Sequence, residues 1–316
     1  MHTSSDPGGP HSLCTHPSPE TGADLSVLTA RRTDTWPMSH SIDAVRVLVT
    51  ELHTEESTAE VALWTLGACA LAFTGSLAAD RWNRRRGEVS FWTAFGWSMV
   101  RIGSLLAALA LLAVQVRTAG WITRADPAVG SWFAGHQSPA LVSAATWVTR
   151  AGSPVSTAVV AVAVAALLAR RHRSALPAAV LAGTVALAAV ASVVVKDVVA
   201  RPRPSRVGHL AAATDYSFPS GHVTGTVALL GALLVLMPAG VGPLRRTVAA
   251  ASATVVVIAV AASRLYLGVH WLTDVVGGLL LGVAAVLVGA LAAATWSARF
   301  PTVTRFEDRP VPALAS

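Results

Sequence analysis

Three short stretches of this chain hold residues whose types and spacing could do chemistry. The first runs from Lys196 to Pro204 and contains Lys196, Arg201 and Arg203, with Arg206 just beyond. Lys196 is the only lysine among 24 basic residues, so a compact ammonium stands where the chain otherwise uses Arg. A lone Lys or Arg there would read as an interfacial anchor. Cations this crowded repel one another unless an anion sits among them, and phosphate suits both the Arg fork and the Lys point charge. The second stretch is Pro219, Ser220, Gly221 and His222, leading straight into an apolar run. Ser and Gly at a helix start turn backbone N–H groups toward an anion, and the helix dipole adds to the attraction. Ser220 alone would be an ordinary N-cap. His222 goes beyond capping, because an imidazole beside an anion can carry a proton to or from a leaving oxygen near neutral pH. The third stretch, Ser263 to Asp274, includes Arg264, His270 and Asp274. His270 and Asp274 are four apart, so on a helix they share a face. The carboxylate can then accept one ring N–H and leave the other nitrogen free to attack.

The elements that must position these groups are set by composition. The 316 residues are 53% hydrophobic and 13% charged, too apolar for an ordinary soluble domain. A bilayer core of about 30 Å needs roughly 20 apolar residues per helix. Stretches near that length occur at 60–79, 97–116, 153–169, 175–195, 223–239, 247–263 and 275–295. Such uncharged runs recur too often for one soluble core, so the fold class expected is all-α, a polytopic transmembrane helix bundle. Most of the ten Trp residues fall at or beside segment ends, where an amphipathic ring suits the headgroup layer. Arg101 lies just inside the second segment, and a charge there is expected to snorkel to the nearer surface. The net charge of +7 follows from basic loops of a membrane protein, with no need for a nucleic-acid partner.

Residues 1–58 are rich in Ser, Thr, Pro, Gly and His without sustained periodicity and read as a disordered tail, in which Met38 is a second candidate start. No basic flank leads into an apolar run there, so no secretory signal is legible. Cys14 and Cys69 give neither a disulfide framework nor a metal spacing, and Leu66 to Cys69 resembles a lipid-attachment box only loosely because the apolar run continues past it. Residues 59–96 are expected to form an extra N-terminal transmembrane segment with its basic loop, 97–296 a six-helix domain, and 297–316 a terminal tail.

Orientation follows from where Arg gathers in short loops. Arg81, Arg84, Arg85 and Arg86 follow the first segment, Arg170, Arg171 and Arg173 the third, and Arg245 and Arg246 the fifth. By parity these loops share one side, expected to be the cytoplasm together with the tail bearing Arg299, Arg305 and Arg309. All three chemical stretches fall on the opposite side. The loop 117–152 joins them there and is expected to lie along the interface as short amphipathic pieces.

Lys, six residues, Arg-Pro, then Pro-Ser-Gly-His, then Ser-Arg, five residues, His, three residues, Asp resembles the motif set of the type 2 phosphatidic acid phosphatase superfamily. Lys196, Arg203 and Pro204 match its first motif, Pro219 to His222 its second, and Ser263, Arg264, His270 and Asp274 its third. The resemblance spans about 97–295 and implies a six-helix core. It implies a lipid phosphatase without metal or other cofactor. His270 would form a phosphohistidine with Asp274 holding its ring, and His222 would protonate the leaving oxygen. One of the two histidines would then activate water. Lys196, Arg203, Ser220, Gly221 and Arg264 would bind the phosphoryl oxygens. The expected substrate is a lipid phosphate or diphosphate at the extracytoplasmic face of the plasma membrane, with undecaprenyl diphosphate, phosphatidate and phosphatidylglycerophosphate as candidates. A lipid phosphotransferase or a non-catalytic binder is the alternative. The vanadium-dependent haloperoxidases share the pocket but are soluble, which the apolar segments oppose. Arg201 and His209 match no motif position and receive no role.

Overall fold

The computed structural model describes residues 38–88, 90–172, 174–204, 215–238 and 240–299. The chain divides into two units, Met1–Leu52 and His53–Ser316. In the first, the described residues, from Met38, are helical; apart from that start of α1, everything below concerns the second. Arg206, His209 and Cys14 lie outside the described residues.

Helix α1 spans Met38–Arg86 and α2 spans Phe91–Arg117. A 3-10 turn, Trp121–Arg124, then leads into α3, Ala125–Gly135, and α4, Pro139–Ala151. The remaining helices are α5, Pro154–His172; α6, Leu176–Val199; α7, Gly221–Val235; α8, Pro243–Tyr266; and α9, Leu272–Arg299. Six helices are long and apolar enough to cross a bilayer, and α7 is a shorter apolar helix. Together they account for the seven apolar segments of the sequence, and the protein is a multi-pass membrane protein. Helix α1 begins well before the segment expected at 60, because no Gly or Pro interrupts the chain between Pro37 and Gly67. Residues 38–58 are therefore helical in backbone rather than an irregular tail.

Helix α9 is the centre of the packing, with α2, α6 and α7 against it. Its seam with α7 is built on glycine. A Cβ on Gly278 would come within 2.8 Å of the Ser220 carbonyl oxygen, and one on Gly282 within 2.7 Å of Val227 Cβ. Without Cβ atoms the two helices approach closely enough for Thr224 Oγ1 to donate to the Gly278 carbonyl at 3.3 Å. Close approach of small residues is how helices associate in lipid, where no hydrophobic force separates protein from solvent. Outward faces are aliphatic instead: Val159, Val162, Val190, Val193, Val255 and Ile258 are exposed, as befits surfaces that meet acyl chains.

Arg101 does not snorkel. It turns toward α1, where its guanidinium lies 3.1 Å from Asp80 Oδ2 and its Nε donates to Ser76 Oγ at 3.2 Å. A carboxylate one helix away satisfies the charge at less conformational cost than a reach to the surface.

The glycine seam yields a direct test. Gly282→Ala should destabilise the protein by about 1–3 kcal/mol through overpacking. Gly183→Ala, on α6 with nothing within 4 Å of the new methyl, should be neutral or slightly stabilising. Thermal unfolding in detergent compares the two.

Candidate active site

The three sequence stretches meet where the C-termini of α6 and α8 face the N-termini of α7 and α9. Helix α6 ends at Val199, and its C-cap Ala200, with a left-handed φ of 51°, turns the chain sharply. The turn sends Arg201 and Arg203, two residues apart, toward different partners. Helix α7 begins at Gly221, and Ser220 N donates to the Asp274 carbonyl at 2.9 Å, tying its start to the first turn of α9. Between α8 and α9 the chain turns at Gly268, with φ of 65°, and delivers His270 just before the helix.

Lys196, Arg203, Gly221, His222, Arg264 and His270 all line one cavity of about 770 Å³. Its remaining wall is largely aliphatic, from Ala158 of α5 and Val185, Ala188 and Val193 of α6. Ser220, although the N-cap of α7, makes no side-chain cap bond; its Oγ is buried and without a hydrogen-bond partner among the described residues. The Gly221 N–H, at the first helical position, has no intrahelical acceptor. Arg264 donates from NH1 to Thr149 Oγ1 at 2.5 Å, while its buried Nε has no partner among the described residues. Of these, Gly221 and Arg264 line the cavity and Ser220 adjoins it in sequence without lining it; desolvated donors of this kind suit a tetrahedral oxyanion.

His270 does not share a helical face with Asp274 in the way a continuous helix would require. It stands in the turn, and the Asp274 carboxylate reaches back as a cap: Oδ2 accepts from Trp271 N at 2.9 Å and lies 3.2 Å from His270 Nδ1. The pairing that the spacing suggested is formed, by capping geometry rather than by a helix stripe. With Nδ1–H donated to Asp274, Nε2 presents its lone pair, and Arg203 NH1 lies 3.3 Å from it. Burial lowers the His270 pKa, outweighing the opposite pull of Asp274; Arg264 and Arg203 add to the lowering, to about 4. The ring is therefore neutral, and nucleophilic, at pH 7.

Two features were not foreseen from sequence. Asp215 lies across the expected phosphate ligands: its Oδ2 accepts from Lys196 Nζ at 2.7 Å and its Oδ1 from Arg203 NH2 at 2.7 Å. Lys196 also donates to the Tyr216 carbonyl. Partial burial raises the Asp215 pKa, but these two hydrogen bonds and charges prevail and hold it down, at about 2. Its carboxylate therefore stays ionised across the working range. The second feature is Asp126 of α3, whose carboxylate pairs with Arg201. An acidic residue in a Pro- and Trp-containing loop carried no motif, so only its tertiary position identifies it.

No group of three or more His, Cys, Asp or Glu is placed to hold a metal ion among the described residues. The arrangement instead gathers four cations, two imidazoles and a helix N-terminus at one end of a membrane bundle.

The fold and the site together define a membrane-embedded helix bundle with a cationic pocket at one end. Residues 177–297, the segment carrying all three motifs, match the family model of the PAP2 superfamily. The fold is similar to that of a crystal structure described as the first transmembrane PAP2-type phosphatidylglycerolphosphate phosphatase from Bacillus subtilis. The TM-score is 0.56 at 22% identity, covering 65% of this chain and 98% of that one. A comparison with curated proteins finds no match.

An anion binding Lys196 and Arg203 would have to displace Asp215. Asp215→Asn should bind inorganic phosphate severalfold more tightly than the wild type. Calorimetric titration of the purified protein measures it, and weaker binding would mean that Asp215 supports the pocket rather than filling it.

Proposed function

We propose that the protein hydrolyses a lipid phosphate or diphosphate, without a metal ion, through a phosphohistidine at His270. The observation that carries this reading is the convergence of Lys196, Arg203, Arg264, His222 and His270 on one cavity whose other wall is aliphatic. The cations take the phosphoryl oxygens and the apolar wall of α5 and α6 takes a lipid chain.

His270 Nε2 attacks phosphorus while Asp274 holds Nδ1–H and stabilises the charge that develops on the ring. The P–O bond to the leaving alcohol or phosphate breaks, and His222 supplies the proton to that oxygen. Water then attacks phosphorus, His222 receives its proton, the P–N bond breaks and His270 regains its lone pair. Lys196, Arg203, Arg264, Ser220 Oγ and the Gly221 N–H bind the equatorial oxygens, whose charge they stabilise in both steps. A substrate phosphate takes the place of the Asp215 carboxylate on Lys196 and Arg203.

Parity with the Arg-rich loops supports a pocket at the extracytoplasmic face of the plasma membrane. Undecaprenyl diphosphate, phosphatidate and phosphatidylglycerophosphate are the candidate substrates. The last of these is also named for the phosphatase of similar fold.

The test is phosphate release by detergent-purified protein in excess chelator, on each of the three lipids. Wild type should release phosphate from at least one, His270→Ala should release none, and Arg264→Ala should lose about 10²- to 10³-fold in kcat. Silence of the wild type on all three, or chelator-sensitive release that survives His270→Ala, would sink the proposal.

The pH profile is a separate check. Because burial lowers the His270 pKa to about 4, kcat/KM should hold as pH falls through 6 and decline only as the ring protonates near 4. An acid limb near 6.5 would mean that the nucleophile titrates as a solvated imidazole.

A further inference from the structure

The first motif carries an Arg two residues before its matched Arg203, and that residue, Arg201, pairs with two buried carboxylates at once. Its NH1 donates to Asp274 Oδ1 at 2.6 Å and its NH2 to Asp126 Oδ2 at 2.7 Å. Asp126 is 2% exposed and Asp274 wholly buried. Thr273 closes the ring: its N donates to Asp126 Oδ1 at 2.9 Å, its hydroxyl to Asp126 Oδ2 at 2.7 Å, and it accepts from Arg201 NH1 at 2.7 Å. The guanidinium lies 5.2 Å from the Trp271 ring centroid, and Trp271 Nε1 donates to the Pro202 carbonyl at 3.1 Å.

We infer that Arg201 and Asp126 are positioning residues for the catalytic pair, an Asp126–Arg201–Asp274–His270 relay that fixes the imidazole and sets its strength as a nucleophile. The inference rests on the phosphohistidine reading above and adds two residues to it.

Geometry supplies the first half of the argument. Each Asp274 oxygen is held separately, Oδ1 by Arg201 and Oδ2 by Trp271 N and His270 Nδ1, so the carboxylate cannot rotate. A ring held by a fixed carboxylate keeps Nε2 aimed at phosphorus, and small losses of aim cost large factors in rate. A guanidinium spans the two carboxylates with two arms fixed in one plane, whereas an ammonium is a point charge whose rotatable donors would not fix that geometry.

Charge supplies the second half. An ion triad buried this deeply is weak evidence of a stabilising role, since apolar packing commonly does as well. Its charge order does have a use. Arg201 alone would draw the charge of Asp274 away from His270 and weaken the nucleophile. Asp126, on the other arm, offsets that draw. Around the ring, Arg203 at Nε2, Arg264 and His222 oppose a positive imidazole, while Asp215 acts on it only through Arg203. Asp274, and behind it Asp126, supply the negative charge that the developing imidazolium needs.

The two residues push in opposite directions, which separates positioning from mere support. In the full-length protein, assayed on whichever of the three lipids the wild type hydrolyses fastest, Asp126→Asn should lower kcat about 10- to 100-fold, as loss of a carboxylate behind a functional imidazole does elsewhere. The acid limb of kcat/KM should move to lower pH. Arg201→Met should also lower kcat, but move that limb to higher pH, because two carboxylates then face the ring without the cation between them. Asp126→Glu should recover part of the rate. The inhibition constant of inorganic phosphate should stay within about twofold in all three variants, since Lys196, Arg203 and Arg264 are untouched. That constant also reports whether each variant is folded. The inference is overturned by variants that keep wild-type kcat. It is equally overturned by variants that lose activity and phosphate affinity in step with no shift of the limb, the mark of a structural role. An inactive wild type would fault the phosphatase reading itself, whereas an active wild type with indifferent variants would fault only the relay.

Discussion

Every feature of the site answers to one constraint: four cations must be held together at one end of an apolar bundle against their own repulsion. Lys196, Arg201, Arg203 and Arg264 crowd one end of the molecule, where neighbouring apolar side chains lower the effective dielectric and each unit charge is felt strongly. Three carboxylates meet this demand, and they divide the work. Asp126 and Asp274 grip Arg201. Asp215 lies on Lys196 and Arg203. Arg264 has no carboxylate within ion-pair distance among the described residues and retains an unpartnered Nε.

This division separates permanent from exchangeable neutralisation. Asp126 and Asp274 are buried, with multiple donors each, and belong to the framework. Asp215 is more than half exposed and bridges the very groups that suit a phosphate, so a dianion with more oxygens can replace it. The cations of the pocket are thus neutralised by the protein's own carboxylates, one of them at an exposed position.

The framework that holds these charges is apolar and depends on close backbone approach. The glycine seam between α7 and α9 brings the start of one helix to the start of the other, and Ser220 N bonds the Asp274 carbonyl across it. The second and third motifs are therefore linked through the backbone, and a displacement of α9 would move His270 and the Ser220–Gly221 turn together. On the far side, Tyr266 accepts from Ser138 N and donates to the His136 carbonyl, fixing the α3–α4 segment above the site. That segment brings in Asp126 and Thr149, so the region between α2 and α5 holds Arg201 and Arg264 in place without itself lining the cavity.

The sequence by itself determined what is periodic or local. Long uncharged runs read as membrane helices because the bilayer imposes their length, and the positions of Lys196, Arg203, Ser220, Gly221, His222, Arg264, His270 and Asp274 announced an anion site through residue type and spacing. Parity alone put all three stretches at one end of the bundle. The tertiary structure decided what depends on partners distant in sequence. Arg101 found Asp80 across a helix gap instead of the surface, His270 met Asp274 through a capping turn, and Asp215 covered the cations from an unmarked loop. Arg201 acquired its meaning only when Asp126, 75 positions away, closed on it. Helix length and motif spacing follow from interactions within a few residues of chain. The pairing of a buried charge is set by whichever opposite charge the packing brings within reach, and no local pattern encodes that distance.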